Sequence, residues 1–211
     1  MIGIVNYNMG NLRSVLNAFD ALGEKVTVVA TPQEMRAVDA LIIPGVGAFR
    51  DGMNNLRTAG LIEPLNEMVI EQKKPFLGLC LGMQLIAQKS FEHGEYEGLG
   101  WTDFTVEKME AIDPTLRIPH MGWNELQNIR HESPLFQGVE EPAVVYFVHS
   151  YYMKPLPGAE SQVTSTCTHG QTIAATLEKG NIFGAQFHPE KSQHTGLKIL
   201  QNFISIANAS C

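Results

Sequence analysis

Short, nearly continuous apolar runs alternate with amphipathic stretches through the N-terminal part of the chain. IGIVNY (2–7) is the first run, and it closes on a polar cluster, NMGN. NLRSVLNAFDALG then sets Leu12, Val15, Leu16, Phe19 and Leu22 at helical spacing, with Gly23 as the stop. KVTVVA (25–30) alternates like a strand, and ALIIPG (40–45) reads as a buried one. The polar-rich stretch 49–73 predicts a helix in two pieces broken near Gly60. PFLGLC (75–80) is the next buried strand, and LGMQLIAQKS (81–90) is expected to follow it as a helix. Apolar strands alternating with helices predict a parallel sheet covered on both faces.

From about residue 96 the pattern changes to short β-like runs joined by turn residues. WTDFTVEKM, the 115–126 stretch, AVVYFVHSYYM, SQVTSTCTH and TIAATLEKGN predict antiparallel hairpins at one side of a mixed sheet. NIFGAQFHPEK (181–191) returns to a strand, and GLKILQNFISIANA closes the chain with an amphipathic helix through Leu197, Leu200, Ile204 and Ala207. No repeat, low-complexity segment or linker interrupts this order. The expected architecture is one α/β domain over 1–211: a three-layer, open, mixed but mostly parallel sheet with helices on both faces and an antiparallel extension.

Composition narrows the function without naming it. With 44% hydrophobic and 18% charged residues, 211 positions suffice for one substantial core. A formal charge of −7 argues against a nucleic-acid groove or an anionic membrane surface. The longest apolar runs, LIIPGVGAF and AVVYFVHS, fall far short of the roughly 20 residues a spanning helix needs. MIGIVNYNMG carries no basic leader region. Cys80, Cys167 and Cys211 are odd in number and widely spread, which makes no disulfide framework. A cytoplasmic chain with reduced thiols is expected, with small-molecule or protein partners.

FLGLCLGMQ (76–84) changes that picture. Cys80 stands in G-x-C-x-G where a strand is expected to give way to a helix, the layout of a nucleophile elbow. The glycines permit a sharp turn, and a helix starting at Leu81 would aim its free N–H groups at the sulfur and favour thiolate. Without such help a thiol, with a pKa of about 8.5, is only a few per cent ionised at neutral pH. A cysteine in an apolar run is just as readily a small buried hydrophobe. The elbow alone leaves both readings open.

FHPEK (187–191) bears on the choice, because a thiol nucleophile needs a base and the base needs an orienting carboxylate. His188 and Glu190 are two apart, and in extended chain both would point the same way. Surface loops produce H-P-E easily. Together with the elbow it gives the order Cys, His, Glu, and the nucleophile reading is favoured. PGVG (44–47) adds a glycine loop whose amides at Val46 and Gly47, with that of Leu81, could form an oxyanion hole. A dinucleotide fingerprint fails there because its sixth position is Arg50, and no GK[ST] occurs. Seven histidines without H-x-x-x-H, and no C-x-x-C, give no expectation of a metal or other cofactor.

GLCLGMQ and GAQFHPEKS together resemble the class I, triad-type glutamine amidotransferases, over essentially the whole chain. Within that family, NYNMGNLRSV (6–15), PGVGAF (44–49), PHMGWN (119–124) and YFVHSYY (146–152) are similar to the glutaminase subunits of imidazole glycerol phosphate synthase, an enzyme of histidine biosynthesis. The resemblance implies a flavodoxin-like fold and hydrolysis of L-glutamine to glutamate and ammonia. It implies Cys80 as nucleophile, His188 as proton shuttle, Glu190 as its orienting partner, and Val46, Gly47 and Leu81 around the oxyanion. Glutamine would be held by Gly47, Gln84 and the backbone at Ser150 and Tyr151.

Ammonia released by a lone glutaminase is wasted, and the chain offers no second substrate site, so an acceptor protein is expected. The resemblance implies a heterodimer with a (β/α)8-barrel cyclase subunit that converts PRFAR to imidazole glycerol phosphate and AICAR. Asn11, Met121, Trp123 and Lys191 are candidate docking residues at the mouth of the site, Trp123 foremost, and Val46 is a candidate gate. Alternatives are the glutaminase of another synthase, a γ-glutamyl hydrolase, or a regulatory scaffold with a dead site. The intact Cys80, His188 and Glu190 argue against the last.

Overall fold

Strand β1 (Ile2–Val5) sends Ile2 and Ile4 into one hydrophobic core and Val5 into another. Such division by parity, with apolar residues on both sides, is what a sheet covered on both faces requires. This computed structural model describes residues 1–110 and 115–209; Cys211 lies outside them. Helix α1 (Leu12–Ala21) leads to β2 (Val26–Val29), and α2 (Pro32–Arg36) leads to β3 (Ala40–Gly45). β3 repeats the parity of β1, with Ala40 and Ile42 on one side and Leu41 and Ile43 on the other. Helices α3 (Phe49–Thr58) and α4 (Ile62–Asn66), the latter continued by a wider turn over Glu67–Glu71, bring the chain to β4 (Phe76–Cys80). One helical turn, α5 (Leu81–Gln84), follows directly.

The strands that follow are β5 (Lys89–Ser90), β6 (Tyr96–Glu97), β7 (Phe104–Lys108), β8 (His120–Glu125), β9 (Val144–His149) and β10 (Tyr151–Pro155). The chain then runs through β11 (Val163–His169), β12 (Gln171–Lys179) and β13 (Ile182–Ala185) to helix α6 (Gln193–Ala209). The main sheet has the order β11-β12-β13-β4-β3-β1-β2. From β13 to β2 it is parallel, while β12 and β11 extend it antiparallel. α1 and α6 pack on one face through Phe19, Leu200 and Phe203. α3 and α4 pack on the other through Phe49, Leu56 and Leu65. Because β4 lies between β3 and β13, the carboxyl ends of these three strands, and the loops leaving them, meet at one place.

Three expectations need correction. The helix expected over 81–90 stops after Gln84, and Lys89–Ser90 is a strand. Leu81 through Ala87 are all buried, so no solvent face supports a longer helix. Instead the carbonyls of Leu85, Ile86 and Ala87 accept from the amides of Leu99, Trp101 and Gly100. The strand expected over 181–191 ends at Ala185, and Pro189–Lys191 form a 3-10 turn. Pro189 has no N–H for a ladder and suits the first position of a turn. AVVYFVHSYYM is two strands parted at Ser150, with β9 paired to β8 in a separate ribbon and β10 paired to β7. The antiparallel extension is therefore shared among the main sheet, a four-stranded sheet β10-β7-β5-β6 and the β8–β9 ribbon. Helix α2 went unpredicted, although Thr31 and Glu34 form a capping box around Pro32.

Candidate active site

Cys80 is the last residue of β4 and has φ 52° and ψ −107°, a backbone state that costs a non-glycine residue about 1–3 kcal/mol. Glycines on either side make the turn possible by close approach. A Cβ on Gly78 would lie 2.5 Å from the Gly82 carbonyl oxygen, and one on Gly82 would run into the Ile43 carbonyl of β3. The thiol is thus held at the carboxyl end of β4 by packing rather than by local preference. Gly45 pairs with Cys80 and Ala185 with Leu79, so the loops after β3 and β13 flank it.

His188 and Glu190 stand in the segment after β13. His188 Nδ1 lies 2.8 Å from Glu190 Oε1, and both side chains are buried. Their approach comes from the 3-10 turn, which folds Glu190 back beside the ring, and not from extended chain as the spacing predicts. The turn is itself tied down: Ser192 Oγ donates to the His188 carbonyl at 2.6 Å and accepts from the Tyr146 amide at 3.0 Å. His188 Nε2 makes no hydrogen bond of ordinary geometry among the described residues, yet the ring interacts with the Cys80 sulfur. Burial alone would lower the His188 pKa; the Cys80 sulfur and the Glu190 carboxylate outweigh it and raise the value to about 9. The buried Tyr7 hydroxyl, donating to the Pro44 carbonyl at 2.9 Å, has its pKa raised by burial and by the charge of Cys80.

Beside the thiol opens a cleft of about 360 Å³, the size of a small polar ligand. Val46, Gly47 and Leu81 line it with Cys80, as do Gln84, Ser150 and Tyr151. Gly47 has φ +112°, open to glycine and strained for other residues. The two N–H bonds of Gln84 are committed, to the Tyr151 carbonyl at 2.9 Å and to Gln186 Oε1 at 3.0 Å. Only its carbonyl oxygen is left to face a ligand. Met109 N–H donates to the Ser150 carbonyl, so Tyr151 opposite Lys108 belongs to a non-hydrogen-bonded pair. The Tyr151 N–H and carbonyl therefore point away from β7, on the side of Gln84.

Sequence reading missed three residues of this site. Gln186 places Nε2 3.7 Å from Cys80 Sγ and bridges it to Gln84. Glu92 lines the cleft and accepts from the Phe49 amide at 2.6 Å. His149 lines it too, and its Nδ1 lies 2.9 Å from the Tyr151 carbonyl. Gln186 and His149 sit inside the segments that carry the resemblance, whereas no local signal marks Glu92.

The four docking candidates fall near one another. Met121 (62% exposed) and Trp123 (48%) face outward on β8, in contrast to Trp101, which is 5% exposed and bonds Asn66. Trp123 meets the Tyr146 ring at 5.7 Å, and Lys191 Nζ lies over the same ring. Asn11 caps α1 through Ser14 and shares a small crevice with Val46, Glu190 and Lys191. Among the described residues no group of three or more side chains could hold a metal, and no helix is long and apolar enough to cross a membrane.

Comparison with known proteins agrees with this geometry. The family model for glutamine amidotransferase class-I matches residues 4–207. Imidazole glycerol phosphate synthase subunit HisH 1 of Campylobacter jejuni (strain RM1221) is 45% identical, over 98% of this chain and 100% of its own length. Subunit HisH of Geobacter sulfurreducens is 47% identical, over 96% of this chain and 97% of its own. A crystal structure of a glutamine amidotransferase shares the fold at TM-score 0.76 and 18% identity, covering 98% of both chains. The Thermotoga maritima PurLQS structure does so at TM-score 0.72 and 17% identity, covering 97% of both. The chain belongs to the class-I glutamine amidotransferases, and within them to the family of the HisH subunits of imidazole glycerol phosphate synthase.

Proposed function

We propose that this chain is the glutaminase subunit of an imidazole glycerol phosphate synthase, hydrolysing L-glutamine to glutamate and ammonia through Cys80, His188 and Glu190. The observation that carries the reading is the strained Cys80 at the floor of a ligand-sized cleft, beside a buried His188–Glu190 pair. Sγ, its proton held by His188, attacks the side-chain carboxamide carbon of glutamine. The oxyanion that forms is held by the Leu81 amide and by an amide of the Val46–Gly47 segment. As the tetrahedral intermediate collapses, His188 passes its proton to the leaving nitrogen and ammonia departs, leaving a glutamyl thioester. Water, deprotonated by His188, then attacks the thioester, and glutamate leaves as the thiol is restored. Glu190 keeps the His188 ring oriented and offsets its charge.

The amino-acid end of glutamine falls to Gln84, Ser150, Tyr151 and Glu92, the one carboxylate among the described residues lining the cleft. It supplies the charge that an α-ammonium needs. The partner follows from the product. Ammonia made here is useful only to an acceptor, and the family relatives are subunits of a synthase. A (β/α)8-barrel cyclase subunit docked on Met121, Trp123, Lys191 and Asn11 would receive it and turn PRFAR into imidazole glycerol phosphate and AICAR. Glutamate release is measured for the chain alone and with the cyclase subunit and its ligand, for wild type and Cys80→Ala. Wild-type hydrolysis that rises in the complex and vanishes in Cys80→Ala is expected. Retained hydrolysis in the variant would overturn the nucleophile assignment.

A further inference from the structure

Behind the cleft, three side chains on the β8–β9 ribbon form a chain of hydrogen bonds that ends on the cleft wall. The Tyr151 carbonyl can only accept, so His149 Nδ1, 2.9 Å away, carries a proton and donates it. His149 Nε2 lies 3.1 Å from His120 Nδ1, and His120 Nε2 lies 3.2 Å from Asn124 Nδ2. The far end is equally determined. Asn124 Nδ2 donates to the Thr168 carbonyl at 3.0 Å while its Oδ1 accepts from the Glu125 amide at 2.8 Å, which fixes the amide's orientation. Asn124 therefore donates to His120, His120 carries its proton on Nδ1 and donates to His149, and His149 donates to Tyr151. Read from either end, the same pair of tautomers results, with both rings neutral.

The rings are also locked by packing. His120 and His149 are buried, and His120 is stacked between Phe147 at 4.6 Å and His169 at 4.2 Å. His169 is held in turn through Nε2, 2.9 Å from the Arg117 carbonyl. Nothing in the proposed proton transfers uses these groups. The carbonyl they reach is the one that Gln84 also grips, and it belongs to the point where β9 leaves the ribbon and β10 enters another sheet. At this crossing the Ser150 carbonyl is held by the Met109 amide, but the Tyr151 carbonyl points away from β7 and has no ladder partner there, so it depends on such side-chain bonds.

We propose that Asn124, His120 and His149 are positioning residues: a one-directional latch that holds the Ser150–Tyr151 backbone in the geometry that binds the amino-acid end of glutamine. The proposal rests on the glutaminase reading. It gives β8 and β9 two functions by parity, since His120, Asn124, Phe147 and His149 face inward while Met121 and Trp123 face solvent. The latch acts on substrate binding and not on the thiol, so the two can be separated. His149→Leu removes the donor to Tyr151, whereas His149→Asn keeps an N–H near the place of Nδ1.

The experiment measures glutamine hydrolysis by the complex with the cyclase subunit, and alkylation of Cys80 by iodoacetamide, for wild type and both variants. Loss of one such bond should raise KM for glutamine about tenfold in His149→Leu, with a smaller change in kcat and an unchanged alkylation rate. His149→Asn should recover most of the KM. If His149→Leu does not fold, Asn124→Ala at the partly exposed end reads the same KM. An unchanged KM in a folded variant, no recovery by asparagine, or a parallel fall in alkylation overturns the latch alone. A wild-type complex that releases no glutamate overturns the glutaminase reading and the latch together.

Discussion

Glu190 Oε1 accepts from His188 Nδ1 at 2.8 Å, and each of these side chains is only 4% exposed. A carboxylate in that place selects the imidazole tautomer and makes the cation cheaper to bury. Burial by itself lowers the His188 pKa, but the Cys80 sulfur and then the Glu190 carboxylate raise it to about 9, so His188 is protonated at neutral pH.

Replacing Glu190 by Gln keeps the shape and removes the charge. The His188 pKa should then fall from about 9, which ring-proton NMR across a pH titration would follow. Turnover should drop by about two to four orders of magnitude, the scale seen when the carboxylate of such a triad is neutralised. The sign of the stability effect also follows. A histidine raised above its ordinary 6.5 stabilises the fold below that pH and loses the contribution as pH rises through about 9. Glu190→Gln should flatten that alkaline loss in urea titrations.

His120 and His149 give the opposite slope. Burial, reinforced by the neighbouring histidines, lowers His120 to about 3. Burial also lowers His149 to about 4, against the opposing pull of the Tyr151 carbonyl and with the charges of His169 and His188. As pH falls below about 6.5 the unfolded chain takes up protons that the folded chain refuses, so stability decreases toward pH 4. Urea midpoints at about pH 7.5 and about pH 5 should differ less in His149→Leu than in wild type. An equal difference would show that His149 does not contribute.

Gly82→Ala should destabilise the protein by about 3 kcal/mol or more, because its Cβ has nowhere to go but into the Ile43 carbonyl of the neighbouring strand. Backbone cannot yield there without separating β3 from the elbow. Urea denaturation measures the loss, and a variant as stable as wild type would contradict the packing described for the turn.

The two tryptophans should behave oppositely. Trp101→Ala opens a cavity beside Phe76 and strands Asn66, and should cost about 3–5 kcal/mol of stability. Trp123→Ala, 48% exposed, should leave the unfolding midpoint nearly unchanged and weaken docking of the cyclase subunit by about tenfold or more. Calorimetric titration of the partner, alongside thermal unfolding of both variants, separates the two effects.

Much of this was legible in the residues. β3 begins and ends where ALIIPG does, and α1 starts one residue after Asn11, its cap. Cys80, His188 and Glu190 were legible as a set because each motif is local chemistry. The spacing of His188 and Glu190 was right for the wrong geometry, since Pro189 begins a turn where extended chain was expected. LGMQLIAQKS misled for a related reason. It reads as a helix, but its carbonyls after Gln84 find partners in residues 99–101. Helix propensity yields when tertiary partners satisfy the backbone better.

By itself the sequence determined the alternation of strands and helices, the glycines that permit the elbow, and the three residues, Cys80, His188 and Glu190, that we propose as nucleophile, base and carboxylate. These depend on neighbours a few positions apart, where periodicity and steric rules act directly. Tertiary structure alone decided that β4 lies between β3 and β13, which brings Val46 and Cys80 to one cleft and His188 beside the Cys80 sulfur. It decided that Trp101 is buried while Trp123 is exposed, and that Gln84, Gln186, His149, His120 and Asn124 support the cleft wall. The bonds from Gln84 to Tyr151 and Gln186, and from His120 to His149, join residues tens of positions apart, and no short window along the chain contains both partners.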